Sequence, residues 1–116
     1  MKFDENMPIY MQISDLIKNR ILKNQYKPGS KLPSVRELSL ELKVNPNTIQ
    51  RAYSELDLSG LVFTKRGMGT FVREDEDMIR DLKMEILETY VKNFLEEMKG
   101  LGLAGEDIIK IIEKSL

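Results

Sequence analysis

The chain contains neither cysteine nor histidine. Without cysteine it can form no disulfide and no thiolate metal site, and a reducing cytosol is its natural compartment. Without histidine it lacks the commonest general base and the commonest metal ligand. It has no apolar run long enough to span a membrane, and its start, Met1-Lys2-Phe3-Asp4-Glu5-Asn6, has no signal-peptide core. No acid pair converges outside the helix caps, so no catalytic centre is apparent. These absences predict a soluble cytoplasmic protein that is not an enzyme and uses no cofactor or metal. At 116 residues and 41% hydrophobic, it is one small domain or a domain with a modest appendage. A core of that size benefits from oligomerisation.

A net charge of −1 and a pI near 5.6 argue against a nucleic-acid partner. The distribution argues for one. Residues 1–74 hold 12 Lys/Arg and 8 Asp/Glu, whereas residues 75–116 hold 6 and 11. A basic front and an acidic rear suggest that one part faces phosphate and the other serves a different purpose. The expected division is 1–74 and 75–116.

In the front part, Pro8 opens a helical pattern carried by Ile9, Ile13, Leu16, Ile17 and Ile21, which should run to about Asn24. Tyr26-Lys27-Pro28-Gly29 signals a turn, and the extended link Ser30–Pro33 is too brief for more than a minimal strand. Ser34-Val35-Arg36-Glu37 has the form of a capping box opening a second helix, with Val35, Leu38 and Leu42 inward. Asn45-Pro46 then supplies an N-cap and a first-turn proline for a third helix, Asn45–Ser59, burying Ile49, Ala52, Tyr53 and Leu56. Gly60 stops it. Leu61–Thr64 and Thr70–Arg73 are β-rich runs around Lys65-Arg66-Gly67-Met68-Gly69, where Gly67 and Gly69 permit positive φ.

Two capped helices around a tight turn, followed by a basic glycine hairpin, describe a winged helix-turn-helix. The third helix alone reads more readily as an ordinary amphipathic helix; the ordered set favours DNA. A recognition helix enters the major groove by its N-terminal turns. Asn47 and Gln50 suit adenine N6/N7, and Arg51 suits guanine O6/N7. Thr48 can meet a thymine methyl or a phosphate, and the free amides beside Asn45 favour a phosphate oxygen. Arg36, beside Ser34, either pairs with Glu37 or Glu41 or contacts DNA. Lys65, Arg66, Gly67, Gly69 and Thr70 form either a solvated hairpin or a wing approaching the backbone, with Arg66 able to enter the minor groove. Lys18, Lys23 and Lys31 read as solvated surface charge.

The rear part begins with Asp75-Glu76-Asp77, which suits a helix N-terminus; adjacent acids there diverge rather than gather around a cation. Leu82, Ile86, Tyr90, Phe94 and Met98 continue an i+4 row from Met78 until Gly100-Leu101-Gly102 breaks the helix. A shorter helix with Ile108, Ile109 and Ile112 follows. The stripe can line a ligand pocket, but core and dimer packing is the commoner meaning of such a pattern. A hairpin this apolar needs another surface, most simply its copy on a second chain. The expected architecture is α+β, mostly α: an N-terminal winged helix-turn-helix, then a helical hairpin for dimerisation. A competing class is a winged-helix module that docks proteins without binding DNA.

The blocks Pro8–Ile13, Lys27–Leu38, Val44–Tyr53 and Arg66–Val72 resemble those of the GntR family of bacterial regulators, specifically its small YtrA-type members. The resemblance covers residues 8–73. It implies a homodimer held by the tail helices, which binds a palindromic operator on double-stranded DNA and represses transcription, often near transporter genes and its own gene. Larger relatives carry arginine where this chain has Pro46 and Gln50, so their base contacts do not transfer to those positions. The tail is too short for the ligand-binding domains of larger relatives, and no aminotransferase domain follows that would take pyridoxal phosphate. Whether a small-molecule effector exists is not implied.

Overall fold

The computed structural model describes residues 2–116. They form α1 (Ile9–Leu22), α2 (Val35–Leu42), α3 (Pro46–Leu58), β1 (Val62–Lys65), β2 (Gly69–Val72), α4 (Glu76–Gly100) and α5 (Gly105–Ser115). The chain divides into two compact units, one ending at Ile79 and the other comprising Arg80–Leu116. α4 starts in the first and belongs to the second from Arg80 onward.

The core of the first unit follows from the helical periodicities. Ile13, Ile17 and Ile21 of α1, Leu38 and Leu42 of α2, and Ile49, Ala52, Tyr53 and Leu56 of α3 are all buried. Leu32, Leu61, Val62 and Val72 close it from the β side. No buried side-chain polar atom lacks a hydrogen-bond partner among the described residues. An ion pair joins α1 to α2 where Arg20 Nη2 lies 2.6 Å from Glu41 Oε2.

α1 ends at Leu22, two residues short of the expected Asn24. Asn24 takes the left-handed conformation (φ 62°), and the Gln25 amide reaches back to the Arg20 carbonyl, 2.8 Å away. Asparagine tolerates this conformation better than other non-glycine residues, so the helix stops before it. α2 ends in the same way at Lys43 (φ 56°), whose side chain gives no such relief. There the Ser39 hydroxyl donates to the Val44 carbonyl at 2.6 Å, fixing the turn between the two helices.

The sheet is a two-stranded antiparallel hairpin pairing Val62 with Val72 and Lys65 with Gly69. Both strands are shifted one residue toward the loop from the runs Leu61–Thr64 and Thr70–Arg73, because Arg66-Gly67-Met68 closes the loop with Met68 N–H on the Lys65 carbonyl at 2.9 Å. A single bridge, Lys31 to Phe71, adds the Ser30–Leu32 link to the edge of β2.

Asp75 Oδ1 accepts from the Met78 amide at the start of α4, at the end of the first unit, and in the second unit Asp107 Oδ2 accepts from the Ala104 amide at the start of α5. The 25 residues of α4 include no buried residue. Against that, Ile108 of α5 is 2% exposed.

Candidate nucleic-acid interface

The start of α3 is built by its cap. Asn45 Oδ1 accepts from the Asn47 amide at 2.8 Å, and Pro46 follows where no amide is needed. Asn47, Gln50 and Arg51 are exposed, and Thr48 is half-buried. Asn45 therefore spends its carbonyl oxygen inside the protein, while the outward side chains of the first two turns carry the readable chemistry.

A side-chain bond ties α3 to the residue just ahead of the α2 cap. The Tyr53 hydroxyl donates to the Pro33 carbonyl at 2.7 Å, immediately before the α2 cap. That cap is the complete capping box: Ser34 Oγ accepts from the Glu37 amide, and Glu37 Oε1 accepts from the Ser34 amide, both at 3.0 Å. The Ser34 hydrogen bonds hold the Glu37 carboxyl below its ordinary range. With Glu37 occupied by the cap and Glu41 by Arg20, neither carboxylate takes Arg36. Its exposed guanidinium has no ion pair among the described residues. The structure thus removes the surface pairings open to Arg36 in the sequence.

The hairpin has two unlike faces. Val62, Thr64, Thr70 and Val72 alternate onto the inner one, where the two valines are fully buried. Thr64 and Thr70 hydroxyls lie 3.3 Å apart, and Thr64 also donates to Asp57 of α3 at 3.3 Å. Thr70 is accordingly half-buried and engaged within the hairpin, not at its tip. On the outer face the Phe63 and Phe71 rings stack 5.8 Å apart. The Lys65 ammonium sits 5.1 Å from the Phe71 centroid and the Arg73 guanidinium 5.4 Å from that of Phe63. Arg66, Gly67 and Met68 form the exposed tip, so Arg66 is the cation that projects from it.

Two residues outside the expected set border this region. Lys31 lies along the outer edge of the hairpin, where a Cβ added to Gly69 (φ +120°) would come within 2.5 Å of its Cε. Tyr10 of α1 carries the Arg51 guanidinium on its ring face, 3.8 Å from the centroid. Neither position is marked in the sequence. Lys31 reads there as one more solvated lysine and Tyr10 as part of a helix start, because both act through tertiary neighbours.

In the second unit, the apolar side chains of α4 are largely uncovered: Met84, Leu87, Tyr90, Val91 and Phe94 are all more than a third exposed. Met84, Leu87, Val91 and Leu95 line an open groove along the helix, edged by Glu88, Lys92, Glu96 and Lys99. Leu82, Ile86 and Met98 are half-buried. On α5, Ile109 and Ile112 are 57% and 40% exposed. Ile108 differs from them, since it has no side-chain surface left to offer a partner. No cluster of His, Cys, Asp or Glu able to hold a metal occurs among the described residues, and no helix there is long and apolar enough to cross a membrane.

Comparison with known proteins agrees with this arrangement. Residues 9–72 match the profile of the family described as bacterial regulatory proteins, gntR family. The HTH-type transcriptional regulator YhcF of Bacillus subtilis is 44% identical over 112 residues, covering 97% of this chain and 93% of that protein. The HTH-type transcriptional repressor YtrA of the same organism is 37% identical over 108 residues, covering 92% and 83%. Among solved structures, a GntR family transcriptional regulator from Listeria monocytogenes superimposes with a TM-score of 0.87 at 44% identity, covering 97% of this chain and 98% of that one. The AraR DNA-binding domain in complex with its operator ORR3 has a TM-score of 0.56 at 30% identity, covering 62% and 87%.

Proposed function

Because the chain belongs to the gntR family of bacterial regulatory proteins, whose members here are transcriptional regulators and not enzymes, we propose that it is a homodimeric repressor that binds a palindromic operator in the cytoplasm. α3 enters the major groove by its N-terminal turns, with Asn47, Gln50 and Arg51 as base-reading side chains. Thr48, Arg36 with the Ser34 cap, and the Lys65–Gly69 tip with Arg66 meet the backbone on either side, and Thr70 supports the hairpin from within. The observation that carries this reading is the set of exposed arginines without a carboxylate partner, Arg36, Arg51 and Arg66, on the elements of one fold. The donors of Arg36 remain available because the nearby carboxylates of Glu37 and Glu41 are engaged by the Ser34 cap and by Arg20. That the similar AraR domain is found in complex with an operator supports the same class of partner.

The uncovered side chains Leu87, Tyr90, Val91 and Phe94 of α4 and Ile109 and Ile112 of α5, with half-buried Leu82, Ile86 and Met98, support dimerisation through these helices. An isologous pairing buries the same patch on both chains. It places the two recognition helices on half-sites roughly 34–36 Å apart, or a multiple of that. A mobility-shift titration against fragments of the gene's own upstream region tests the reading. Retardation of a preferred fragment that weakens steeply with added salt is expected. Failure to retard any duplex even at low salt overturns it.

A further inference from the structure

We propose that Tyr10 is a positioning residue for DNA reading: its ring is the platform that presents the Arg51 guanidinium to a paired acceptor on DNA. This rests on the DNA-binding reading above and adds to it a residue from α1.

Among the cation–ring contacts in the described residues, Arg51 on Tyr10 is the closest. Its guanidinium carbon is 3.8 Å from the centroid, whereas the contacts of Arg20, Lys65 and Arg73 range from 5.1 to 5.7 Å. At that distance the flat guanidinium is in van der Waals contact with the ring face. Stacking consumes the faces of a guanidinium and leaves its edges, which carry the N–H donors. None of those donors meets an acceptor among the described residues, and Arg51 is exposed. The side chain is therefore held in place and chemically unspent.

Its placement supports the same reading. Tyr10, Met11, Ser14, Asp15 and Lys18 share a groove with Glu55 and Ser59, further along α3. With Tyr10 beside Arg51, α1 and α3 therefore run in the same sense, the first turn of α1 meeting the second turn of α3. Arg51, which Tyr10 carries, lies in the second turn of α3, within reach of the end that enters a groove. Arg51 and Glu55 lie on the α1 flank of α3, while Gln50 shares a flank with Tyr53, which bonds toward α2. The two side chains thus leave α3 about 100° apart, and only Arg51 has a stacked support. Fixing a long flexible side chain before binding removes ordering cost at the moment of contact. The acceptor pair is guanine O6/N7 or two phosphate oxygens.

The test uses the full chain and a duplex selected by it from randomised DNA. Tyr10→Phe keeps the ring and is expected to bind as the wild type does. Tyr10→Leu keeps apolar bulk without a π face and is expected to bind about three- to fivefold more weakly. In an Arg51→Ala background the same Leu substitution is expected to change nothing. Equal losses in both backgrounds, or wild-type affinity in Tyr10→Leu or Arg51→Ala, overturn the proposal. Base-by-base variation of the duplex separates the two acceptor sources. Loss of preference at one position in Tyr10→Leu marks guanine, and a uniform loss with a shallower salt slope marks phosphate. Should Tyr10→Leu melt below the assay temperature, NMR of the wild type decides. The Arg51 Nε–H resonance is expected upfield in the free protein from the Tyr10 ring current, and downfield on adding the duplex. A resonance unshifted in both states overturns the proposal. If the wild type selects no duplex at all, the DNA-binding reading fails, a result distinct from binding without Tyr10–Arg51 coupling.

Discussion

Replacing Tyr53 by phenylalanine isolates one hydrogen bond that holds the two helices of the motif together. The Tyr53 ring is 4% exposed, and its hydroxyl donates to the Pro33 carbonyl at 2.7 Å. Burial pushes the phenol well above the ordinary tyrosine range, so at neutral pH it is protonated and donates. Phenylalanine preserves the ring, so no cavity opens; only the hydroxyl and its bond are lost. A net hydrogen bond of this kind contributes about 1 kcal/mol, and a fully dry orphaned acceptor raises the loss to about 1–3 kcal/mol. Pro33 is half-buried, so water can partly replace the lost donor, and a cost of about 1 kcal/mol is expected. For a chain of this size that lowers Tm by roughly 4 °C per kcal/mol. Thermal melts by circular dichroism at matched protein concentration measure it, since dimerisation makes Tm concentration-dependent. By contrast, Tyr53→Ala should cost about 3–5 kcal/mol, because the ring itself fills the α2–α3 core. A Phe variant melting with the wild type, or above it, would refute the claim that this bond fastens α2 to α3.

Ser34→Ala removes half of the capping box and is expected to lower stability by about 1 kcal/mol in denaturant titration, with an unchanged m-value. The Glu37 carboxyl lies below its ordinary 4.5 because it accepts from Ser34. Its stabilising contribution is therefore complete above pH 4.5 and lost as pH falls through the lowered value. Glu37→Gln should accordingly flatten the acid side of a stability–pH profile. Gly69→Ala imposes an L side chain at φ +120° and displaces the flexible end of Lys31, whereas Gly67 (φ +78°) has open space beside it. The first substitution should cost more than the second, at about 1–3 against about 1–2 kcal/mol in thermal melts. Val91→Lys places a charge in the apolar groove of α4 and should shift sedimentation equilibrium toward monomer, while exposed Glu85→Lys outside the groove should not. Unchanged association in the Val91 variant would exclude this face from the dimer.

Much of the fold is legible because its signals are local. Ser34 and Glu37 lie three residues apart, as a capping box requires, and the bonds form as that spacing implies. Asn45-Pro46 announces the start of α3, and the buried positions of α1, α2 and α3 repeat at helical spacing. Boundaries were less legible. The end of α1 depended on Asn24 adopting positive φ, and the turn after α2 depends on Lys43 doing so, which its residue type does not suggest. The hairpin strands shifted by one residue because loop closure, not β propensity, decides where pairing ends.

The candidate interface divides along the same line. Residue type and spacing alone nominated Asn47, Gln50, Arg51 and Arg66, since donors on the first turns of a capped helix and at a glycine tip are local properties. Which of those donors are spent is a tertiary property. Glu41 pairs with Arg20, twenty-one positions away, and so leaves Arg36 free. Thr70 faces Thr64 because the strands pair in one register. Ile108 is buried while its neighbour Ile109 is not. Tyr10 meets Arg51 only because α1 packs along α3 in the same sense. The sequence determined the elements, their caps and the kind of chemistry they carry, since each depends on residues within a few positions of one another. The tertiary structure decided which charges remain unpaired and what supports them, because those outcomes require side chains that the chain separates and only packing brings together.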